Sequence, residues 1–209
     1  AVPARIPSGW RIGSFSSLAH GLVDEKSAPD RDLRAESPAS QDLTAAVLSP
    51  DDILQFARGA RAGECLHALL ESIDFTEPDG WQPAMTAALR RFGHPPDAQP
   101  MLASLLRDLL ATPLPVGTTN PFRLDRLDRS RRLTELEFYL PSAGLQDQRL
   151  NQLLEAEGYG LGRFGFAPLT GFLKGFIDLV FEHDGRYFVL DWKSNHLGNR
   201  IADYDRQSM

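Results

Sequence analysis

GFLKGFIDLVFEHDGRYFVLDWKSN, residues 171–195, sets two aspartates in runs otherwise fit for the middle of a sheet. Residues 176–182 and 186–193 are rich in aromatic and β-branched side chains, and Asp184-Gly185 between them is a strong two-residue turn signal. The stretch predicts a β-hairpin. In a type I′ turn His183 faces Arg186, and counting outward along both strands brings Asp178 opposite Asp191, with Cβ atoms about 4.5–5.5 Å apart. Lys193 projects from the same face; Leu190 and Trp192 project from the other, where they pack. A three-residue loop would shift this register by one and part the pair.

Like charges at that distance repel unless something neutralises them. Lys193 can balance the pair at a surface, which is the simplest reading of such a hairpin. Both strands are apolar enough to be central, however, which points to a half-buried cleft. Oxygen ligands beside a lysine in such a cleft suit a hard divalent cation such as Mg²⁺ or Mn²⁺.

The rest of the chain bounds the possibilities. Its 209 residues suffice for a sizeable core, and a 42% apolar and 24% charged composition is that of a globular domain. No apolar run reaches the roughly 20 residues of a membrane span, and the first residues lack a signal-peptide core, so a cytoplasmic protein is expected. The net charge of −6 argues against a wholly basic nucleic-acid coat but leaves room for local basic patches. The single cysteine, Cys65, excludes an internal disulfide and lies in a helical pattern as a structural thiol.

Residues 10–22 predict a short strand or turn. Residues 23–42 are polar and proline-bearing, and read as a mobile linker because they cannot repay their ordering entropy by burial. Ser49-Pro50-Asp51-Asp52 reads as a helix start, running to about Gly59. A second helix is expected from near Gly63, with Leu66, Leu69, Leu70 and Ile73 forming one apolar stripe and His67 beside it. Residues 81–92, 100–111 and 144–156 read as further helices, the second ended by Pro113 and Pro115. Residues 133–141, LTELEFYLP, alternate as a strand: Leu136, Phe138 and Leu140 face one way, and Glu135, Glu137 and Tyr139 the other. Just before it, residues 122–132 carry Arg123, Arg126, Arg129, Arg131 and Arg132 against two aspartates. This is the most basic stretch of an acidic chain, either a solvated face or a contact for a nucleic-acid backbone.

GFLKGFIDLVFEHDGRYFVLDWKSNHLG closely resembles the signature of the RecB-type nuclease domain, within the PD-(D/E)XK nuclease superfamily. GARAGECLHALLESIDF, residues 59–75, resembles the family's histidine-bearing helix, LTELEFYLP its acidic strand, and WRIGSFSSLAHG the segment that leads into the domain. The resemblance implies an α/β (α+β) fold: a restriction-endonuclease-like core with a central mixed β-sheet flanked by helices, spanning residues 49–209, after an N-terminal segment and linker over 1–48. It implies a metal-dependent deoxyribonuclease of the exodeoxyribonuclease V type, working on single strands delivered by a helicase, with RecC-like and RecD-like partner subunits. Asp178, Asp191 and His67 would hold Mg²⁺ (Mn²⁺ or Ca²⁺ can take the same site) with the Trp192 carbonyl, and Lys193 would orient or activate the attacking water. Glu135 would act as a further acid, with Glu137 as the competing choice. Arg123, Arg126 and Arg129 are the candidate DNA contacts.

The sequence has no GxxxxGK[ST] loop, hence no ATP site, and no GxSxG, HExxH or CxxC signature. The resemblance also implies that family members continue past DYDRQSM into a helix that packs by the active site. The rival reading is an inactive nuclease-fold module for subunit docking or regulation; the triplet Asp178, Asp191 and Lys193 favours the enzyme, because a purely structural hairpin does not need it.

Overall fold

One long strand organises the sheet. In the computed structural model, which describes residues 9–14, 17–18, 52–115, 121–158, 163–198 and 203–204, the strands are β1 (Trp10–Ser14), β2 (Arg132–Leu145), β3 (Leu169–His183) and β4 (Arg186–Leu190). The order is β1-β3-β2, and β4 also pairs with β3. Thr170 to Lys174 of β3 run parallel to β1, in the register Trp10↔Thr170 through Ser14↔Lys174, and its far half, Leu179 to His183, runs antiparallel to β4. The sheet is therefore mixed.

The chain divides into two compact units, Ala1–Pro29 with Glu135–Ile177, and Asp30–Thr134 with Asp178–Met209. Both divisions fall inside strands, so β2 and β3 each run on from one unit into the other. The second unit holds α1 (Ala60–Ser72), α2 (Trp81–Phe92) and α3 (Gln99–Ala111). Their apolar stripes close one core. Leu69, Leu102, Leu106 and Leu110 are fully buried, and Leu179 and Phe181 of β3 complete it. Phe181 stacks between Phe122 and Phe188, with ring centroids 5.3 Å apart on each side. The first unit contains β1, most of β2, the start of β3 and α4 (Asp147–Ala156). There Asn151 exchanges two 2.9 Å hydrogen bonds with the backbone of Phe164, tying α4 to the segment before β3.

Several expectations change. The helix expected to run to Gly59 is, over its described residues, only a single 3₁₀ turn, Ile53–Gln55, with Asp52 accepting from the Leu54 N–H. Gly59 then takes φ 92°, a conformation that interrupts any helix, and α1 starts at Ala60, not near Gly63. The hairpin strand expected from residue 176 begins seven residues earlier, at Leu169, because β1 pairs with that stretch. The linker over 23–42 lies outside the described residues. No helix among them is long and apolar enough to cross a membrane.

Candidate active site

The hairpin turn sets the geometry. Asp184 and Gly185 have φ 51° and 70°, both positive as a type I′ turn requires, and the register His183↔Arg186 through Leu179↔Leu190 follows from it. Phe188, Leu190 and Trp192 pack against the core; Tyr187 and Val189, on the opposite face, are exposed. Asp178 stands one residue beyond the last pair.

There the ladder stops, one residue short of the pair Asp178 and Asp191 that the register was expected to bring together. In the alternation of an antiparallel pair, the Trp192 N–H would bond to the carbonyl of residue 177. Instead it donates to Asp178 Oδ2 at 2.7 Å, and β4 ends at Leu190. A carboxylate has taken the donor that would have continued the sheet. Asp191 consequently turns outward: its side chain is 57% exposed and lies 2.6 Å from Lys193 Nζ, whereas that of Asp178 is only 12% exposed.

His67 reaches the buried carboxylate from α1. Its Nδ1 lies 3.7 Å from Asp178 Oδ1, a position that follows from its place beside the buried Leu69 and Leu70. Glu135 of β2 completes a group of three: one ligand atom from each of His67, Glu135 and Asp178 lies within 4.8 Å of the others. Glu135 has φ 51°, rare for a residue that is not glycine, and a positive φ inside a strand re-aims the side chain out of the strand's alternation. Glu137, two residues on, goes elsewhere. It accepts from Lys174 Nζ at 2.6 Å and from the Tyr139 hydroxyl, and the Lys174 hydrogen bond holds its carboxyl below the ordinary range.

Two carboxylates within 4.8 Å of each other repel by about 3 kcal/mol at an effective dielectric of about 20. A dipositive ion removes that cost and an imidazole alone does so only when protonated. The donor set of one nitrogen and two oxygens, half-buried, fits a divalent cation.

A profile of the PD-(D/E)XK nuclease superfamily matches residues 43–207. The chain belongs to that superfamily. It is 35% identical over 98% of its length to RecBCD enzyme subunit RecB of Escherichia coli strain K12, and 32% identical over 96% to that of Mycobacterium tuberculosis strain H37Rv. Against RecB of Haemophilus influenzae it is 26% identical over 98%. The chain covers 17%, 21% and 18% of these relatives, so it corresponds to about a fifth of their length.

The PD-(D/E)XK fold accounts for the mixed sheet and its α/β class. Nucleases of this superfamily use divalent metals, and in this member the donor cluster described above is where one fits. Asp191 and Lys193 lie together as an exposed ion pair outside the cluster of three. The hold of the Trp192 N–H on Asp178 went unread in the sequence, as did the partnership of Lys174 with Glu137. Lys174 could have been noticed, since it alternates onto the same face of β3 as Asp178.

The arginine-rich stretch of this PD-(D/E)XK chain is largely spent internally. Arg132 is 7% exposed, donates to the Ile73 carbonyl at 2.6 Å and lies over the Phe75 ring, and burial lowers its pKa from the ordinary arginine value. Arg131 grips Glu182 through two bonds of 2.8 and 2.6 Å. Among the candidate DNA contacts, Arg123 pairs with Asp125 and Arg129 leans on the Ser72 carbonyl at 3.4 Å. Arg126 is exposed.

Proposed function

We propose that the chain is a divalent-metal-dependent deoxyribonuclease domain that hydrolyses phosphodiester bonds. The observation that carries this reading is the meeting of His67, Glu135 and Asp178 at the end of a hairpin that also bears Asp191 and Lys193. In this reading the first three hold Mg²⁺ or Mn²⁺, with Ca²⁺ able to take the same place. Asp191 joins them by turning from Lys193, and the Trp192 carbonyl contributes. A bound divalent ion supplies charge neutralisation on the phosphoryl oxygens and a lowered pKa for water.

The protein's own groups do the positioning. The Trp192 N–H fixes the Asp178 carboxylate, so this ligand keeps its orientation without reorganising when substrate arrives. Lys193, released from Asp191, holds the attacking water and balances the charge that grows on the phosphate. The work of such a domain in an assembly like that of its relatives, a helicase-nuclease with RecC-like and RecD-like subunits acting on broken or foreign DNA, is part of the same proposal. It rests on the similarity to RecB subunits.

Cleavage of single-stranded and duplex DNA by this chain, with Mg²⁺ or Mn²⁺ and with chelator, tests the reading. Metal-dependent cutting that falls by about two orders of magnitude or more in Asp178→Asn is the expected result. Cutting that survives both chelator and Asp178→Asn sinks the assignment. So does a chain that binds neither ion.

A further inference from the structure

Arg131 closes a 3₁₀ turn and Arg132 opens β2, and the two adjacent side chains reach different elements. Arg132 donates to the Ile73 carbonyl at 2.6 Å, just past the last residue of α1. His67 lies six residues back in the same helix, about 9 Å along its axis. Arg131 donates to Glu182 Oε2 through Nε at 2.8 Å and a terminal nitrogen at 2.6 Å. Glu182 follows Asp178 by four residues on the same face of β3, about 13 Å along the strand. One dipeptide thus ties the end of α1 to β3, the elements from which His67 and Asp178 approach to 3.7 Å. Glu135 comes three residues later on the strand that Arg132 opens.

Stability alone does not account for Arg132. The residue is 7% exposed, its guanidinium lies over the Phe75 ring, and its Nη1 meets no hydrogen-bond partner among the described residues. The nearby Asp74 and Asp128 carboxylates ease the burial, but they are taken by Thr76 and Ser130, and burial still brings the Arg132 pKa below the ordinary arginine value. An apolar side chain of similar volume would serve the core as well or better. What arginine adds is a donor of fixed direction, which sets where the end of α1 lies.

We infer, resting on the metal reading above, that Arg131 and Arg132 are positioning residues of the proposed metal site: together they brace α1 against β3 and so hold His67 at its distance from Asp178. This gives the most basic stretch of the chain a task other than contact with a nucleic-acid backbone.

Calorimetric titration with Mn²⁺ tests the brace, because charge and positioning predict opposite signs. Removing a positive charge near a cation site tightens binding if charge alone matters. Arg131→Gln and Arg132→Met are instead each expected to weaken Mn²⁺ about tenfold, as loss of a group that orients a metal ligand does. Both are expected to melt, free of metal, close to the parent, since Arg131 is half-exposed and methionine fills the buried site without a charge. Arg132→Lys, which keeps a cation and a donor for the Ile73 carbonyl, is expected to restore most of the affinity. Arg90→Gln, on the exposed end of α2, removes the same charge elsewhere and leaves Mn²⁺ binding unchanged. In the metal-free chain, the Trp192 amide that donates to Asp178 and the ring protons of His67 are expected to shift by NMR in the two weakened variants and not in the control.

Parent-like or tighter Mn²⁺ binding in Arg131→Gln overturns the brace; if the parent cuts DNA with the ion, the metal reading survives that failure. Affinity that falls only together with melting temperature, with Arg132→Lys no better than Arg132→Met, overturns it too. If Arg132→Met does not fold, Arg131→Gln decides. If the parent binds no Mn²⁺, the metal reading falls and the NMR signals judge the brace: shifts in Arg131→Gln uphold it, and unmoved signals overturn it.

Discussion

Glu135 adopts φ 51° within a strand, a conformation that costs a residue other than glycine about 1–3 kcal/mol and persists only where something over-determines it. Here it sends the carboxylate toward His67 and Asp178 while Glu137 keeps its partner Lys174. Alternation along LTELEFYLP puts both glutamates on one face and cannot separate them. A single residue at positive φ leaves no mark in a period of two, so the choice between Glu135 and Glu137 was not legible in the sequence. Asparagine tolerates the left-handed region best among residues that carry a side chain. Glu135→Asn is accordingly expected to keep or raise folding stability by up to about 1 kcal/mol, while titration calorimetry shows divalent binding weakened about tenfold or more. Loss of stability together with unchanged metal affinity would mean that Glu135 serves the sheet and not a ligand.

At the scale of elements, local signals were read well and distant ones poorly. The Asp184-Gly185 turn fixed the hairpin register because two residues determine it, and the helices at 81–92 and 99–111 follow from apolar spacing and flanking prolines. The parallel pairing of β1 with β3 joins segments about 160 residues apart and has no local signature. It depends on Gly171, where φ is 132° and an added Cβ would lie 2.0 Å from the Arg11 carbonyl oxygen. Gly171→Ala is therefore expected to destabilise by about 3 kcal/mol or more, since strain and backbone overlap add. Urea denaturation measures the loss, and faster amide exchange in β1 locates it.

The hairpin has a second tie, open to pH. Glu182 accepts from Arg131 and, through its other oxygen, from the Gly185 N–H at 2.8 Å, and the Arg131 hydrogen bond holds its carboxyl below the ordinary value of 4.5. A depressed folded value means stabilisation present above 4.5 that disappears as pH falls through the folded value. Protection of the Gly185 amide should therefore decline on acidification in that window. In Glu182→Gln it should be weak and flat across the same range.

For the molecule as a whole, the core and the site make opposite demands. Burial of Leu69, Leu102, Leu106, Leu110 and Leu179 was foreseeable from pattern alone, since apolar stripes must close on one another. The end of β4 was not, because it is decided by a side chain: Asp178 captures the Trp192 N–H and leaves Asp191 with Lys193. That capture keeps a carboxylate half-buried beside another one, a repulsion of about 3 kcal/mol that folding must carry when no cation is bound. Asp178→Asn removes the charge and keeps an oxygen to accept from Trp192. The metal-free variant is thus expected to melt at the same temperature as the parent or higher, while the rise in melting temperature that Mg²⁺ or Mn²⁺ gives the parent vanishes. A metal-free variant that melts well below the parent would show that the Asp178 charge itself supports the fold, and the carboxylate would then be structural before it is a metal ligand.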